Sequence, residues 1–167
     1  MSDQVYAAHT LPGLEGVAWE EIKAELGAPE LVSRGRGVVL FTQQGPALKL
    51  LNLRTTEDVF AVVDHQPELS PTHYGLRQLR EGLARTPALD TALAVPRELY
   101  RKRVKRITDR VVAQMKWPHD FRRQDAQREA IAAIQQRNPH WKPLAEAAHL
   151  AFCLTLQRRS APPLSRL

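Results

Sequence analysis

The chain has 167 residues, 43% of them hydrophobic and only 6% aromatic, enough for one ordinary domain or two small ones with cores of Leu, Val, Ala and Ile. No apolar run approaches the roughly 18 residues needed to span a bilayer, and no apolar leader follows Met1–Gln4, so neither membrane span nor signal peptide is expected and the cytoplasm is the expected compartment. The formal net charge is +6, and the 12 prolines are scattered, which speaks for many short connections over a long disordered tract.

Val5–His9 reads as a short strand ended by Thr10-Leu11-Pro12-Gly13. Leu14, Val17, Ala18, Ile22 and Leu26 then fall on one helical stripe, with Glu15, Glu20, Glu21 and Lys23 outside it, and Gly27 is a natural stop. Leu31–Arg36 and Val38–Thr42 read as two strands joined by a tight turn at Gly35 and Gly37. Gly45-Pro46 is expected to open a second helix whose apolar face is Ala47, Leu48, Leu50 and Leu51. The β-branched run Val59–Val63 is a further strand. Strand, helix, strand, strand, helix, strand is the split βαβ order of a ferredoxin-like unit. A Pro/Ser/Thr-rich connection, Pro67–Thr72, follows it.

A helix is expected over Leu76–Arg85 on Leu76, Leu79 and Leu83, and another within Leu89–Tyr100, interrupted at Pro96. Ile107–Met115 reads as a strand and Gln124–Gln136 as a helix with Ala126, Ala130, Ile131 and Ile134 inward; Asn138-Pro139 ends it. His149–Leu156 reads as a final buried strand, with Cys153 inside it as a small hydrophobe. The fold class is therefore α+β in two subdomains, residues 1–70 and 71–167.

Charge is unevenly placed. Residues 101–128 carry 10 Lys/Arg against 3 Asp/Glu, whereas residues 1–100 are net acidic. A local excess of this density is the footprint of a polyanion partner, although a merely solvated face would show the same residues. Arg101, Lys102, Arg103, Lys105 and Arg106 form the densest part; Arg110 and Lys116 continue it, and Arg122, Arg123 and Arg128 lead into the following helix. Lysine and arginine meet phosphate by charge, arginine also by paired hydrogen bonds. Trp117, Phe121 and Trp141 lie near these charges; an exposed ring would stack on an unpaired base, but core packing is the preferred reading of each.

Catalytic constellations are not found. The six histidines stand singly, without the convergent spacing a zinc site needs. There is no Gly-x-Ser-x-Gly elbow, and Gly35-Arg36-Gly37 is too short for a phosphate-cradling loop. Asn138-Pro139-His140-Trp141 matches only loosely the Asn-Pro-Pro-aromatic element of amino-methyltransferases, and helix termination explains it better.

Thr10-Leu11-Pro12-Gly13-Leu14-Glu15-Gly16-Val17, Val32–Phe41 and Leu50-Leu51-Asn52-Leu53-Arg54-Thr55 resemble the N-terminal ferredoxin-like domain of THUMP-containing RNA methyltransferases. Phe121–Arg128, Trp141 and His149–Leu156 resemble the helix and strand of the THUMP domain. The resemblance implies a module that grips structured RNA, typically the acceptor end of tRNA, for a catalytic domain that uses S-adenosylmethionine. Neither that domain's Asp-Pro-x-Cys-Gly-Ser-Gly cofactor loop nor a true Asn-Pro-Pro-Tyr occurs here, so no cofactor is expected in this chain. It is expected to be either a piece of a longer methyltransferase or a natural stand-alone module. Arg34, Arg36 and Arg54 are weaker RNA-contact candidates on the first domain. Two other readings stay open: a protein-interaction module for an acidic partner, and an enzyme with an unrecognised site.

Overall fold

The computed structural model describes residues 4–44, 47–66, 68–93 and 107–156. It is a mixed α/β structure that divides into two compact units. Among the described residues, the first unit comprises 4–63 with 90–93, the second 64–89 with 107–156.

The first unit is a four-stranded antiparallel sheet with one α-helix. Its elements are β1 (Gln4–His9), α1 (Glu15–Leu26), β2 (Glu30–Gly35), β3 (Val38–Gln43), a 3-10 helix (Ala47–Asn52) and β4 (Asp58–Ala61). The strand order is β2-β3-β1-β4, so each crossover skips one strand and the two interleave. This is the split βαβ topology expected from the sequence. Register follows the alternation of side chains: Tyr6 lies opposite Phe41 and Ala8 opposite Val39, all four buried. Ala18, Ile22 and Leu26 of α1 close the core over them with Leu53.

Two details differ from expectation. Leu14 and Val17, placed on the core stripe by periodicity, are exposed, Val17 by 54%. Helical spacing admits residues at the margin of a stripe, and here the buried row is 18–22–26, with Trp19 half-buried against the same core. The expected second α-helix is instead the short 3-10 helix, and its Leu51 is 74% exposed. Gly45 and Pro46 lie outside the described residues.

The hairpin turn is Arg36-Gly37, with Gly35 inside β2 and only Gly37 at positive φ, +75°. A Cβ there would meet the Thr10 carbonyl oxygen at 3.0 Å, so both conformation and proximity require glycine.

The second unit is a three-stranded parallel sheet, β6-β5-β7, with β5 (Thr108–Met115) at its centre, β6 (Lys142–Pro143) and β7 (Leu150–Leu156) beside it. Helices α2 (His73–Arg85) and α3 (Arg123–Arg137) complete it. Thr72 caps α2, its side chain accepting from the Tyr74 N–H. Leu79 and Leu83 of α2, Ala126, Ala130, Ala133 and Ile134 of α3, and Val111 and Ala113 of β5 are buried. Arg80 and Glu129 bridge the two helices at 3.5 Å. Ile131, expected inside, is only half-buried. Residues 88–93 are helical; the remainder of the stretch to Tyr100 lies outside the described residues.

β7 corrects a further expectation. It alternates, with Ala151, Cys153 and Thr155 exposed between partly buried neighbours, so Cys153 is an exposed thiol and not a core residue. In register these three stand beside Arg110, Val112 and Gln114 of β5. An apolar run in a parallel strand normally implies cover on both faces; here this face is open to solvent.

Candidate nucleic-acid interface

The densest predicted cluster, Arg101, Lys102, Arg103, Lys105 and Arg106, lies outside the described residues. The other candidates separate into two groups. Arg110 lies in the amino-terminal half of β5, side by side with Ala151 on the open sheet face. Lys116 follows the carboxyl end of β5, six residues or about 20 Å further along the strand. From there a short loop leads to Arg122, Arg123 and Arg128, all exposed, at the start of α3.

Local chemistry fixes this second group. The Asp125 carboxylate accepts the Arg122 N–H at 2.9 Å, closing the first turn of α3. The reciprocal bond of a capping box is missing, because a guanidinium has donors only. That backbone bond and the Arg128 guanidinium, also bonded to Asp125, hold the Asp125 carboxyl below the usual aspartate range. Asp125 therefore stays charged and offsets part of the arginine charge beside it. Gln127 Nε2 donates to the Val111 carbonyl at 2.8 Å, beyond the two residues of β5 that pair with β6, and ties α3 to the strand. Arg122, Gln124, Asp125, Gln127, Arg128 and Ile131 line an open depression of about 560 Å³. It is open, with Ile131 and the aliphatic stems of its polar side chains giving a mixed lining, and it encloses no small molecule.

Arg36 and Arg54 are brought to one end of the first unit. Thr10 joins their segments: its N–H donates to the Gly37 carbonyl at 2.9 Å and its hydroxyl to the Thr55 carbonyl at 2.7 Å. Glu15 accepts the Gly37 N–H at 2.6 Å and the Gly13 N–H at 3.1 Å, and these bonds lower its pKa, the Gly37 bond most, with Arg34 adding a small attraction. Glu21 accepts the N–H groups of Arg54 and Thr55, each at 2.9 Å, and the Thr55 hydroxyl. Desolvation opposes its charge, but the Thr55 and Arg54 bonds prevail and its pKa is lowered. The segments that carried the family resemblance are thus the ones these two carboxylates knit together. Arg34, Arg36 and Arg54 are exposed around them, Arg54 beside Glu21 and Glu25 in a second open depression of about 530 Å³.

The aromatics divide. Phe121 is 3% and Trp141 8% exposed, both core residues, whereas Trp117 is 43% exposed in the loop between Lys116 and Arg122. Core packing, the reading preferred for all three from sequence, holds for Phe121 and Trp141 and is overturned for Trp117, since cations flank all three and give no sign of which ring is covered. Among the described residues no group of three His, Cys, Asp or Glu converges on a common point, and no helix is long and apolar enough to cross a membrane.

No protein-family model and no curated protein matches the sequence. Solved structures do match the fold. TrmN from Thermus thermophilus superposes with a TM-score of 0.68 at 19% identity, over 92% of this chain and 42% of its own. A protein described as a predicted N6-adenine-specific DNA methylase from Listeria monocytogenes gives 0.64 at 17%, over 95% of this chain and 39% of its own. A 4-thiouridine synthetase, solved in complex with RNA and with bound ATP, gives 0.59 at 11%, over 93% and 39%. The chain spans about two fifths of the length of these structures, and the mixed α/β fold is what it shares with them.

Proposed function

We propose that this chain is an RNA-binding module, with a ferredoxin-like domain at 1–70 and a THUMP-like domain at 71–167, that recognises tRNA at its acceptor end for a methyltransferase domain or subunit. S-adenosylmethionine would belong to that catalytic part. The observation that supports the reading is the exposure of Lys116, Arg122, Arg123 and Arg128, which follow one another from the end of β5 into the first turns of α3. The fold is shared with TrmN and with a 4-thiouridine synthetase that was solved in complex with RNA. Lysine and arginine so placed neutralise phosphates and release counterions.

The test is binding of the full chain to tRNA and to duplex DNA, each at two salt concentrations. Affinity for tRNA should fall steeply with salt. The double variant Arg122→Ala/Arg123→Ala should bind about tenfold or more weakly, with a salt slope shallower by about one to two. A double variant that binds tRNA like the parent would sink the site; equal affinity for tRNA and duplex DNA would sink the preference for RNA.

A further inference from the structure

Four strands end a sheet among the described residues, and three of them are guarded against pairing with a further strand. β2 carries Glu30 and Arg34 and shifts its register between Leu31 and Ser33. β4 is four residues long and begins at Asp58. β6 is only Lys142-Pro143. Charge, irregularity, brevity and proline are the means by which sheet edges avoid association. β7 has none of them. Leu150–Leu156 is seven residues without charge, glycine or proline, and its register with β5 runs unbroken.

The Lys116 N–H donates to the Leu156 carbonyl at 2.7 Å, which sets the side to which each residue of β7 turns its backbone. Successive residues of a strand alternate in this, so Leu150, Phe152, Leu154 and Leu156 turn their N–H and C=O groups to β5. Ala151, Cys153 and Thr155 turn theirs to the outer edge. Among the described residues those outward groups meet no partner, and the three side chains are exposed.

The outward residues are placed evenly about Cys153, the middle of the strand. A second copy laid antiparallel about a two-fold axis at Cys153 sets Cys153 opposite itself and Ala151 opposite Thr155, twice. Each of these pairs exchanges two bonds, so every outward N–H and C=O of β7 is satisfied on both copies. On the partly buried face the same register sets Phe152 opposite Leu154 and Leu150 opposite Leu156, apolar against apolar. The strand is uncharged, so no like charges meet despite the net charge of +6.

We infer that β7 is a self-association edge, at which two copies of this chain pair antiparallel about Cys153. The inference is independent of the RNA-binding reading. A strand about 23 Å long covers much less than the roughly 800 Å² per partner of a standard interface, so the dimer is weak and forms with rising concentration.

Sedimentation equilibrium of the full chain should show monomer passing to dimer as concentration rises. A residue on the two-fold axis meets its own copy, so Cys153→Lys and Cys153→Glu should each raise the dimer dissociation constant about tenfold or more. Both substitutions lie on the exposed face, and thermal melts should match the parent. An equimolar mixture of the two variants should dimerise again, with Lys facing Glu. In the parent, a short bismaleimide should join the chain's only cysteine to its copy, a readout that needs no variant to fold. A parent that stays monomeric up to about 1 mM overturns the self-association edge. Dimerisation of Cys153→Lys at the parent's affinity, a mixture that stays monomeric, or a dimer that gives no cross-link overturns the register about Cys153.

Discussion

Asp109 is the residue whose environment runs against its chemistry. It is fully buried at the start of β5, with Oδ1 3.4 Å from Gln135 Nε2 and no partner for Oδ2. Burial raises its pKa, only partly countered by its own backbone N–H and Gln135. A carboxyl whose folded pKa is raised binds its proton more tightly in the folded state. Its stabilising effect is therefore complete below the unfolded value of about 3.9 and lost as pH rises through the folded one. At neutral pH the charged form costs stability. Asp109→Asn, which keeps the shape and an acceptor for Gln135, should stabilise the protein by about 1 kcal/mol at pH 7. Urea unfolding at stepped pH checks the sign: the gain should shrink towards zero as pH falls below about 4. A gain that grew on acidification would show that Asp109 is held as a stabilised anion.

At the scale of elements, α2 carries two glycines with opposite expectations. At Gly75 a Cβ would lie 2.0 Å from the Ser70 carbonyl oxygen, so the backbone of the preceding loop would have to move. At Gly82 the obstruction is the side-chain amide of Gln66, at 1.9 Å, the far end of a flexible group held by Asp64. Gly75→Ala should destabilise by about 2–3 kcal/mol through overpacking. Gly82→Ala gains helix propensity, about 1 kcal/mol, against the loss of one side-chain contact, and should come out near neutral. Denaturant midpoints of the two variants decide it, and equal losses would refute the distinction. This asymmetry is invisible in the sequence, where Gly75 stands just before the helix expected at Leu76–Arg85 and Gly82 within it, with nothing to show what either meets. The helices themselves were legible: the rows Ala18-Ile22-Leu26, Leu79-Leu83 and Ala126-Ala130-Ile134 repeat at helical spacing and are buried. The six residues Ala47–Asn52 were not, because so short a run gives nearly the same pattern as α or 3-10 helix. Cys153 was misplaced for a different reason. An apolar run identifies a strand but not how many of its faces are covered.

At the scale of the whole molecule, the sequence shows where charge accumulates and the structure shows how it is offset. Of the basic stretch, the structure describes Arg110 apart from Lys116, Arg122, Arg123 and Arg128, a division that no count of charges along the chain contains. It also places Asp125 among the arginines with two roles that oppose each other. Its carboxylate closes the first turn of α3 through the Arg122 N–H, and its charge offsets that of Arg128. Two substitutions separate these roles. Asp125→Asn keeps an acceptor for the backbone bond but removes the charge, whereas Asp125→Ala removes both. If the arginines meet a polyanion, Asp125→Asn should bind RNA about two- to fivefold more tightly at low salt, the scale of an exposed ion pair, and the gain should fade at high salt. Its melting temperature should stay near that of the parent. Asp125→Ala should show the same gain in affinity while losing about 0.5–2 kcal/mol of stability, the usual cost of removing a helix cap. Binding at two salt concentrations and thermal melts of the three proteins suffice. Affinity that fell with stability in both variants would mean that Asp125 serves only the helix and that the arginines beside it do not face the RNA.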